Sequence, residues 1–215
     1  MVRPAPKNLL SGLLTQSRFT GRIGIMGGSF NPPHAGHLAT AKQARDAARL
    51  QMVFWLVSPQ NPLKSADGMA SLAAREAACR QLAHAHSWLH VSRFETHLQN
   101  PSDEGNNPVL TAETLGAIRR HLPRAQLIWI MGADNLCQFH EWHYTNIIQT
   151  TADLLVMGRP GYNYSALASR GRAQLCRRVK PAQLKGRGDG MWAFDNHAYH
   201  PLSGTALREA GQGVG

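Results

Sequence analysis

Short runs rich in β-branched and aromatic residues alternate along the chain with longer segments rich in alanine and leucine. Runs of the first kind are typical of buried strands, and the longer segments have the composition of helices. A regular alternation of the two indicates βαβ units that assemble around a parallel sheet. The hydrophobic pattern therefore predicts an α/β fold.

The pattern also predicts where the elements lie. The strands are expected at Arg22–Met26, Val53–Ser58, His90–Phe94, Gln126–Met131, Asp153–Met157 and Met191–Asp195. The helices are expected at His37–Arg49, Ser71–Ala85, Ala112–His121, a short stretch from Asn135 to Thr150, and Tyr164–Arg178, with a last one starting near Thr205. Loops that follow parallel strands gather at the carboxyl edge of the sheet. Here those loops are rich in Gly, Pro, Asn, His and Ser, so we expect the functional site at that edge.

Length and composition favour a single domain. The 215 residues are enough for one packed core, and 43% of them are hydrophobic. Residues 1–20 are basic with only short apolar patches, so we expect a flexible extension ahead of a domain at 21–215. No apolar run reaches the roughly 20 residues that a membrane-spanning helix needs. Because such a run is absent and the N-terminal segment is too weakly apolar for a signal peptide, we expect a cytoplasmic protein with no membrane partner. The three cysteines lack metal-site spacing, which favours reduced thiols.

The formal net charge of the chain is +10. Such a balance favours anionic partners, which include phosphorylated small molecules, nucleic acid and acidic lipid. A nucleic-acid-binding module would need basic residues interleaved with exposed aromatic ones. The basic tract at 170–187 contains no aromatic residue, so no specific nucleic-acid partner is expected. The sequence leaves open whether the chain forms a homo-oligomer.

The stretch GGSFNPPHAGH at 27–37 joins the first strand to the first helix. Glycines at a strand end let the backbone approach a ligand closely, and the unpaired N–H groups of a helix N-terminus favour an anion. Neither the dinucleotide fingerprint nor the phosphate-loop motif is present. If the helix begins at His37, then His34 lies one turn earlier and both imidazoles face the same anion. We therefore predict a phosphate site at this turn.

Two histidines so close together raise the alternative of a metal site. No third ligand of suitable spacing accompanies His34 and His37. The stretch HEWH at 140–143 does not fit a zinc helix either, because its histidines are three rather than four positions apart. We therefore expect no metal held by protein ligands alone.

The stretch GGSFNPPHAGH resembles the signature G-G-[ST]-F-[DN]-P-x-H-x-G-H of the H-x-G-H nucleotidyltransferase superfamily, whose members transfer a nucleotidyl group from ATP or CTP. Within that superfamily the chain resembles the bacterial nicotinate-mononucleotide adenylyltransferases. Further stretches that carry the resemblance are WLVSPQNPLK, LTAETL, IMGADN, FHEW, GRPGY and LSGTALR. Together they extend over most of the chain, from Arg22 to Arg208. The resemblance implies a Rossmann-like, doubly wound parallel sheet in a single domain.

The resemblance also implies a reaction. The 5′-phosphate of nicotinate mononucleotide would attack the α-phosphorus of ATP, giving nicotinic acid adenine dinucleotide and pyrophosphate in NAD biosynthesis. Mg²⁺ would be bound with ATP, mainly by phosphates and water. A phosphate monoester is already nucleophilic, so positioning and electrostatic stabilisation would be the protein's contribution.

The residues of the site are likewise implied by the resemblance. Catalytic contacts fall to His34, His37 and Arg208. ATP and its phosphates would bind to Gly27, Gly28, Ser29, Phe30, Lys64, Arg159, Ser203 and Thr205. The nicotinate nucleotide would bind to Thr111, Gly132, Asp134 and Trp142. Gly204 departs from the family's usual Ser or Ala, although Ser203 and Thr205 can still cap the last helix.

Other readings of the sequence stay open. Nicotinamide mononucleotide or phosphopantetheine as acceptor, or transfer of a cytidylyl group, would use the same turn. The later stretches favour a pyridine nucleotide over the last two. A basic nucleic-acid-binding module is the alternative from another class. Trp55 and Trp129 are predicted in the core. For Trp142 the sequence leaves two roles open, stacking on the nicotinate ring or packing against the protein.

Overall fold

The computed structural model describes residues 19–59, 69–99 and 109–196. Four predicted site residues, Lys64, Ser203, Thr205 and Arg208, lie outside these ranges, as does the predicted last helix. Most of the predicted basic extension, residues 1–18, also lies outside them.

A seven-stranded parallel sheet organises the described residues. Its strands are β1 (Arg22–Gly28), β2 (Met52–Val57), β3 (Leu89–Ser92), β4 (Gln126–Gly132), β5 (Asp153–Met157), β6 (Arg177–Arg178) and β7 (Met191–Asp195). The strand order is β3-β2-β1-β4-β5-β7-β6, and every neighbouring pair is parallel. The chain adds β2 and β3 on one side of β1 and the later strands on the other, so the sheet is doubly wound. The predicted Rossmann-like α/β fold is confirmed.

Helices cover both faces of this sheet. They are α1 (Ala35–Ala48), α2 (Leu72–Ala83), α3 (Thr111–His121), α4 (Ala133–Gln138), α5 (Thr145–Thr151), α6 (Asn163–Leu167) and α7 (Arg170–Ala173). The buried apolar side chains form two clusters, and successive strand residues such as Phe54 and Trp55 belong to opposite ones. α1 and α2 pack into the cluster of Trp55, whereas α3, α4 and α5 pack into that of Phe54. Because helices cover both faces of the sheet, a ligand can reach the sheet only at the ends of its strands.

Several side chains lie where the sequence predicts. Trp55 and Trp129 are buried in the two clusters, as expected of core residues. The three cysteines form no disulfide. Within the described ranges no helix combines the length and the apolar character that crossing a membrane requires.

The beginning of α1 differs from the prediction. The helix begins at Ala35 rather than at His37. His34 is its N-terminal capping residue, with an extended backbone at φ −148° and ψ 169°. The prediction was wrong by two residues because an imidazole, which is not a usual capping group, takes the place of a serine or an aspartate.

The predicted helix Tyr164–Arg178 is also wrong. The structure has two short helices there, α6 and α7, followed by the edge strand β6. Ser169 separates the helices, since its backbone is extended and its hydroxyl accepts a hydrogen bond from the N–H of Arg172 at 3.0 Å. The stretch from Asn135 to Thr150 is similarly divided into α4, a 3₁₀ turn at Phe139–Glu141, and α5.

Candidate active site

The turn between β1 and α1 brings two imidazoles together at the N-terminus of a 14-residue helix. The Gly36 N–H donates to Nδ1 of His34 at 3.1 Å, and the His34 N–H donates to Nδ1 of His37 at 3.2 Å. The two side chains therefore satisfy two N–H groups that the helix leaves unpaired, in the manner of a capping box. The ring centroids are 3.9 Å apart.

These two bonds also fix which nitrogen carries the proton. Since Nδ1 accepts a hydrogen bond in both rings, each neutral imidazole carries its proton on Nε2. The first turn of α1 contains no acidic residue, so the positive end of its dipole is not neutralised from within the helix. The turn thus combines two ring N–H donors with a helix N-terminus, an arrangement that suits phosphoryl oxygens.

Phe30 packs its buried ring against the ring of His37. Its ring is 2% exposed and lies 5.0 Å from the His37 ring and 5.2 Å from the Trp55 ring, measured between centroids. Its backbone has φ of 46°, in the left-handed region that few residues with a side chain adopt. The sequence predicts Phe30 only as part of the backbone cradle. The structure adds that its ring fixes the position of His37 against the core.

The two glycines at the end of β1 have different surroundings. A Cβ on Gly27 would lie 2.6 Å from Cη2 of Trp129, and a Cβ on Gly28 would lie 3.3 Å from Cε2 of Phe30. Gly27 therefore makes room for a core tryptophan, and Gly28 lets Phe30 fold back over the strand. This packing role comes in addition to the predicted contact with ATP, which stays a prediction.

Gly27→Ala is expected to lower the free energy of unfolding by about 1–3 kcal/mol, because Trp129 must shift in a packed core. Chemical denaturation measures this change. Gly116→Ala is the matched control: it lies in α3, and its added Cβ would meet only Arg120 Nη1, at 3.6 Å. A helix prefers alanine to glycine, so the control is expected to gain about 1 kcal/mol. Equal effects at the two positions would contradict this account of Gly27.

Asp134, in the first turn of α4, forms an ion pair with Arg159, in the loop that follows β5. A Cβ on Gly132 would clash with Oδ1 of Asp134, so the glycine lets this carboxylate turn back over the strand end. The Arg159 N–H donates to Oδ1 of Asn163 at 2.6 Å. The sequence assigns Asp134 and Arg159 to different substrates, but the structure pairs them. Their contacts with nucleotides stay predictions.

The two remaining predicted contacts of the nicotinate nucleotide are Thr111 and Trp142. Thr111 is the first residue of α3. The Trp142 ring lies 5.5 Å from the Phe139 ring and 6.5 Å from the Trp129 ring, and it is partly buried against the core. These contacts establish a packing role for Trp142, while stacking on nicotinate stays a prediction.

Arg75, on the first turn of α2, is a residue that the sequence analysis missed. Its side chain is 1% exposed and donates hydrogen bonds to the carbonyl oxygens of Ser29, Ser58, Pro59 and Ala70. Burial lowers the pKa of this guanidinium. The available signal was its place in a helical row with Cys79 and Ala83, both buried, where a charged side chain is unexpected.

Glu95 is a second residue that was missed. It lies in the 3₁₀ turn Phe94–His97, is 5% exposed, and accepts a hydrogen bond from the Thr114 hydroxyl at 3.2 Å. Burial raises the pKa of its carboxyl to about 7, against the lowering effect of hydrogen bonds from Ser58 and Thr114. The carboxyl joins the end of β2 to α3 beside the carboxyl edge of the sheet.

Comparison with known proteins gives the family. The model of cytidylyltransferase-like proteins matches residues 25–210, most of the chain. The chain belongs to this family. It is 42% identical over 198 residues to a probable nicotinate-nucleotide adenylyltransferase of Erythrobacter litoralis, with 88% of this chain and 84% of the relative covered. A protein of the same description from Cereibacter sphaeroides is 39% identical, with 88% and 98% covered. The resemblance stated from the motifs is confirmed.

A solved structure shares the fold of this family member. The nicotinic acid mononucleotide adenylyltransferase of Plasmodium falciparum, complexed with NaAD, matches with a TM-score of 0.65. The match covers 88% of this chain and 83% of that one at 14% sequence identity. At this identity the likeness concerns the sheet and its helices, not individual side chains.

Proposed function

We propose that this protein transfers the adenylyl group of ATP to nicotinate mononucleotide, forming nicotinic acid adenine dinucleotide and pyrophosphate in NAD biosynthesis. The observation that carries the proposal is the pair of capping imidazoles at the start of α1, each of which accepts a backbone N–H at Nδ1. The family of the chain and the description of its curated relatives support the choice of reaction.

The reaction needs one bond formed and one broken at phosphorus. An oxygen of the nicotinate mononucleotide phosphate attacks the α-phosphorus of ATP, and the bond from that phosphorus to the bridging oxygen of pyrophosphate breaks. Negative charge then grows on the α-phosphoryl oxygens and on the leaving group. Ring N–H donors of His34 and His37, with the N-terminus of α1, would stabilise that charge without accepting a proton.

Magnesium would accompany ATP in this scheme. Within the described ranges no group of three or more His, Cys, Asp or Glu could hold a metal ion. The donors proposed at the turn are the two ring N–H groups, which suit phosphate oxygens, whereas Mg²⁺ prefers oxygen ligands. Such a site would fit an Mg²⁺ ion held by phosphates and water. When bound, it would neutralise part of the phosphate charge.

Positive side chains complete the proposed site. Lys64 and Arg208, together with Ser203 and Thr205, are assigned to the phosphates by the family resemblance and lie outside the described ranges. Arg159 would attract a phosphate less strongly than an unpaired arginine, because Asp134 neutralises part of its charge. Cytoplasmic location and the lack of a specific nucleic-acid partner stay predictions of the sequence.

The acceptor is tested by measuring pyrophosphate release from MgATP with one acceptor at a time. Nicotinate mononucleotide is expected to give the highest kcat/KM, well above nicotinamide mononucleotide and phosphopantetheine. A preference for either of the others would retain the chemistry of the turn and overturn the assignment of the acceptor. Replacing ATP by CTP tests the nucleotide in the same assay, and ATP is expected to be preferred.

A further inference from the structure

Arg75 is a buried cation whose charge is met by backbone carbonyls. Among the described residues no carboxylate lies within ion-pair distance of its guanidinium. Burying a charge is costly unless hydrogen bonds compensate for the lost water. The exposed Arg80, five residues later in α2, instead pairs with Glu76. Hydrogen bonds to backbone carbonyls therefore hold the Arg75 side chain in its position.

The four acceptors come from three separate segments. Nη1 donates to Ser29 at 2.6 Å and to Ser58 at 2.8 Å, in the loops that follow β1 and β2. Nη2 donates to Pro59 at 3.1 Å, and Nε donates to Ala70, ahead of α2, at 2.9 Å. A single planar group thus ties the carboxyl ends of two neighbouring strands to the helix that packs on them. Lysine, a point charge with a single donor atom, cannot span these positions.

The bond to Ser29 also determines the direction of the next N–H group. The Ser29 carbonyl and the Phe30 N–H belong to one peptide unit, and in a trans peptide they point in opposite directions. With the carbonyl held on Arg75, the Phe30 N–H must point away from the buried guanidinium. Phe30 then takes its left-handed conformation and places its ring against His37. The orientation of this peptide and the position of the His37 ring thus depend on the side chain of Arg75.

We propose that Arg75 is a positioning residue of the nucleotide site: its guanidinium holds the Ser29–Phe30 peptide and the carbonyls of Ser58 and Pro59 in the orientation that binds the phosphates of ATP. The proposal rests on the proposed function only in taking this turn as the place where ATP phosphates bind. It places no direct contact between Arg75 and the nucleotide.

The test compares two ligands in binding experiments, an ATP analogue with a methylene group between the α- and β-phosphorus atoms, and adenosine. Arg75→Lys is expected to weaken binding of the analogue about tenfold, the order of one hydrogen bond to a charged group. Binding of adenosine, which has no phosphate, is expected to stay unchanged. Arg80→Lys is the matched control on the exposed face of α2 and is expected to bind both ligands like the wild type.

Each outcome decides the proposal. Unchanged affinity of folded Arg75→Lys for the analogue would overturn it, and so would an equal loss for both ligands, which would indicate a general packing role. Should this variant fail to fold, Arg75→Gln takes its place with the same expectation, since it removes the buried charge and keeps a planar donor. The proposed function fails separately, through absence of turnover with nicotinate mononucleotide in the wild type, because analogue binding involves no acceptor.

Discussion

His37→Ala is expected to lower kcat at least a hundredfold while the protein remains folded. One donor placed at the charge that develops in a transition state is worth about 3 kcal/mol, which corresponds to a loss of this size. The same change removes the Nδ1 acceptor of the His34 N–H, a capping bond worth about 1 kcal/mol of stability. The variant should therefore be slightly less stable and almost inactive.

His37→Asn separates these two effects. Its side-chain oxygen can stand where Nδ1 stands and restore the capping bond, but it offers no donor at the place of Nε2. We expect stability near that of the wild type and turnover as low as in His37→Ala. His84→Ala, at an exposed histidine after α2, controls for loss of an imidazole elsewhere. Near-normal turnover of His37→Asn would remove the His37 ring from the reaction.

Glu95→Gln is expected to change how stability depends on pH. The carboxyl is buried, and its pKa in the folded chain is raised from 4.5 to about 7. The folded state thus favours the protonated form, so the wild type loses stability as the pH rises from the unfolded pKa to the folded one. Glutamine does not titrate and avoids this loss. The advantage of the variant should grow over this interval and level off above it, reaching on the order of 3 kcal/mol.

Urea unfolding in a series of buffers between about pH 5 and pH 8 measures this difference. Glu141→Gln provides the control, since that carboxylate is on the surface and its ion-pair partner among the described residues is His140, at 3.7 Å. The control should follow the wild type throughout. Parallel pH profiles of Glu95→Gln and the wild type would show that Glu95 is charged in the folded protein at neutral pH, contrary to this account.

The fold could be predicted where burial leaves a pattern. β2, β4, β5 and β7 are largely buried and apolar, β1 has a buried centre at Ile23–Ile25, and each of the five was predicted to within two residues. β6 could not be predicted, because an edge strand of two exposed arginines has no hydrophobic period. The break at Ser169 was missed for a related reason, since one serine in an otherwise helical segment does not reveal that its hydroxyl caps a new helix.

The candidate site, too, could be predicted from the sequence only in part. The glycines and histidines of 27–37 are neighbours in the sequence, so a single stretch carries both the backbone constraints and the donors. Arg75 meets Ser29 across 46 positions, and Asp134 meets Arg159 across 25, so neither contact leaves a local trace. Both are products of the strand order, which places the ends of β1 and β2, and those of β4 and β5, side by side.

The central claim is that the phosphate of nicotinate mononucleotide attacks ATP at its α-phosphorus. The most direct test uses nicotinate mononucleotide whose terminal phosphate oxygens carry a heavy-oxygen label, together with MgATP and the wild-type protein, and determines the masses of both products. The account predicts that nicotinic acid adenine dinucleotide retains all of the label and that the pyrophosphate contains none. Label in the pyrophosphate, or absence of the dinucleotide, would contradict it.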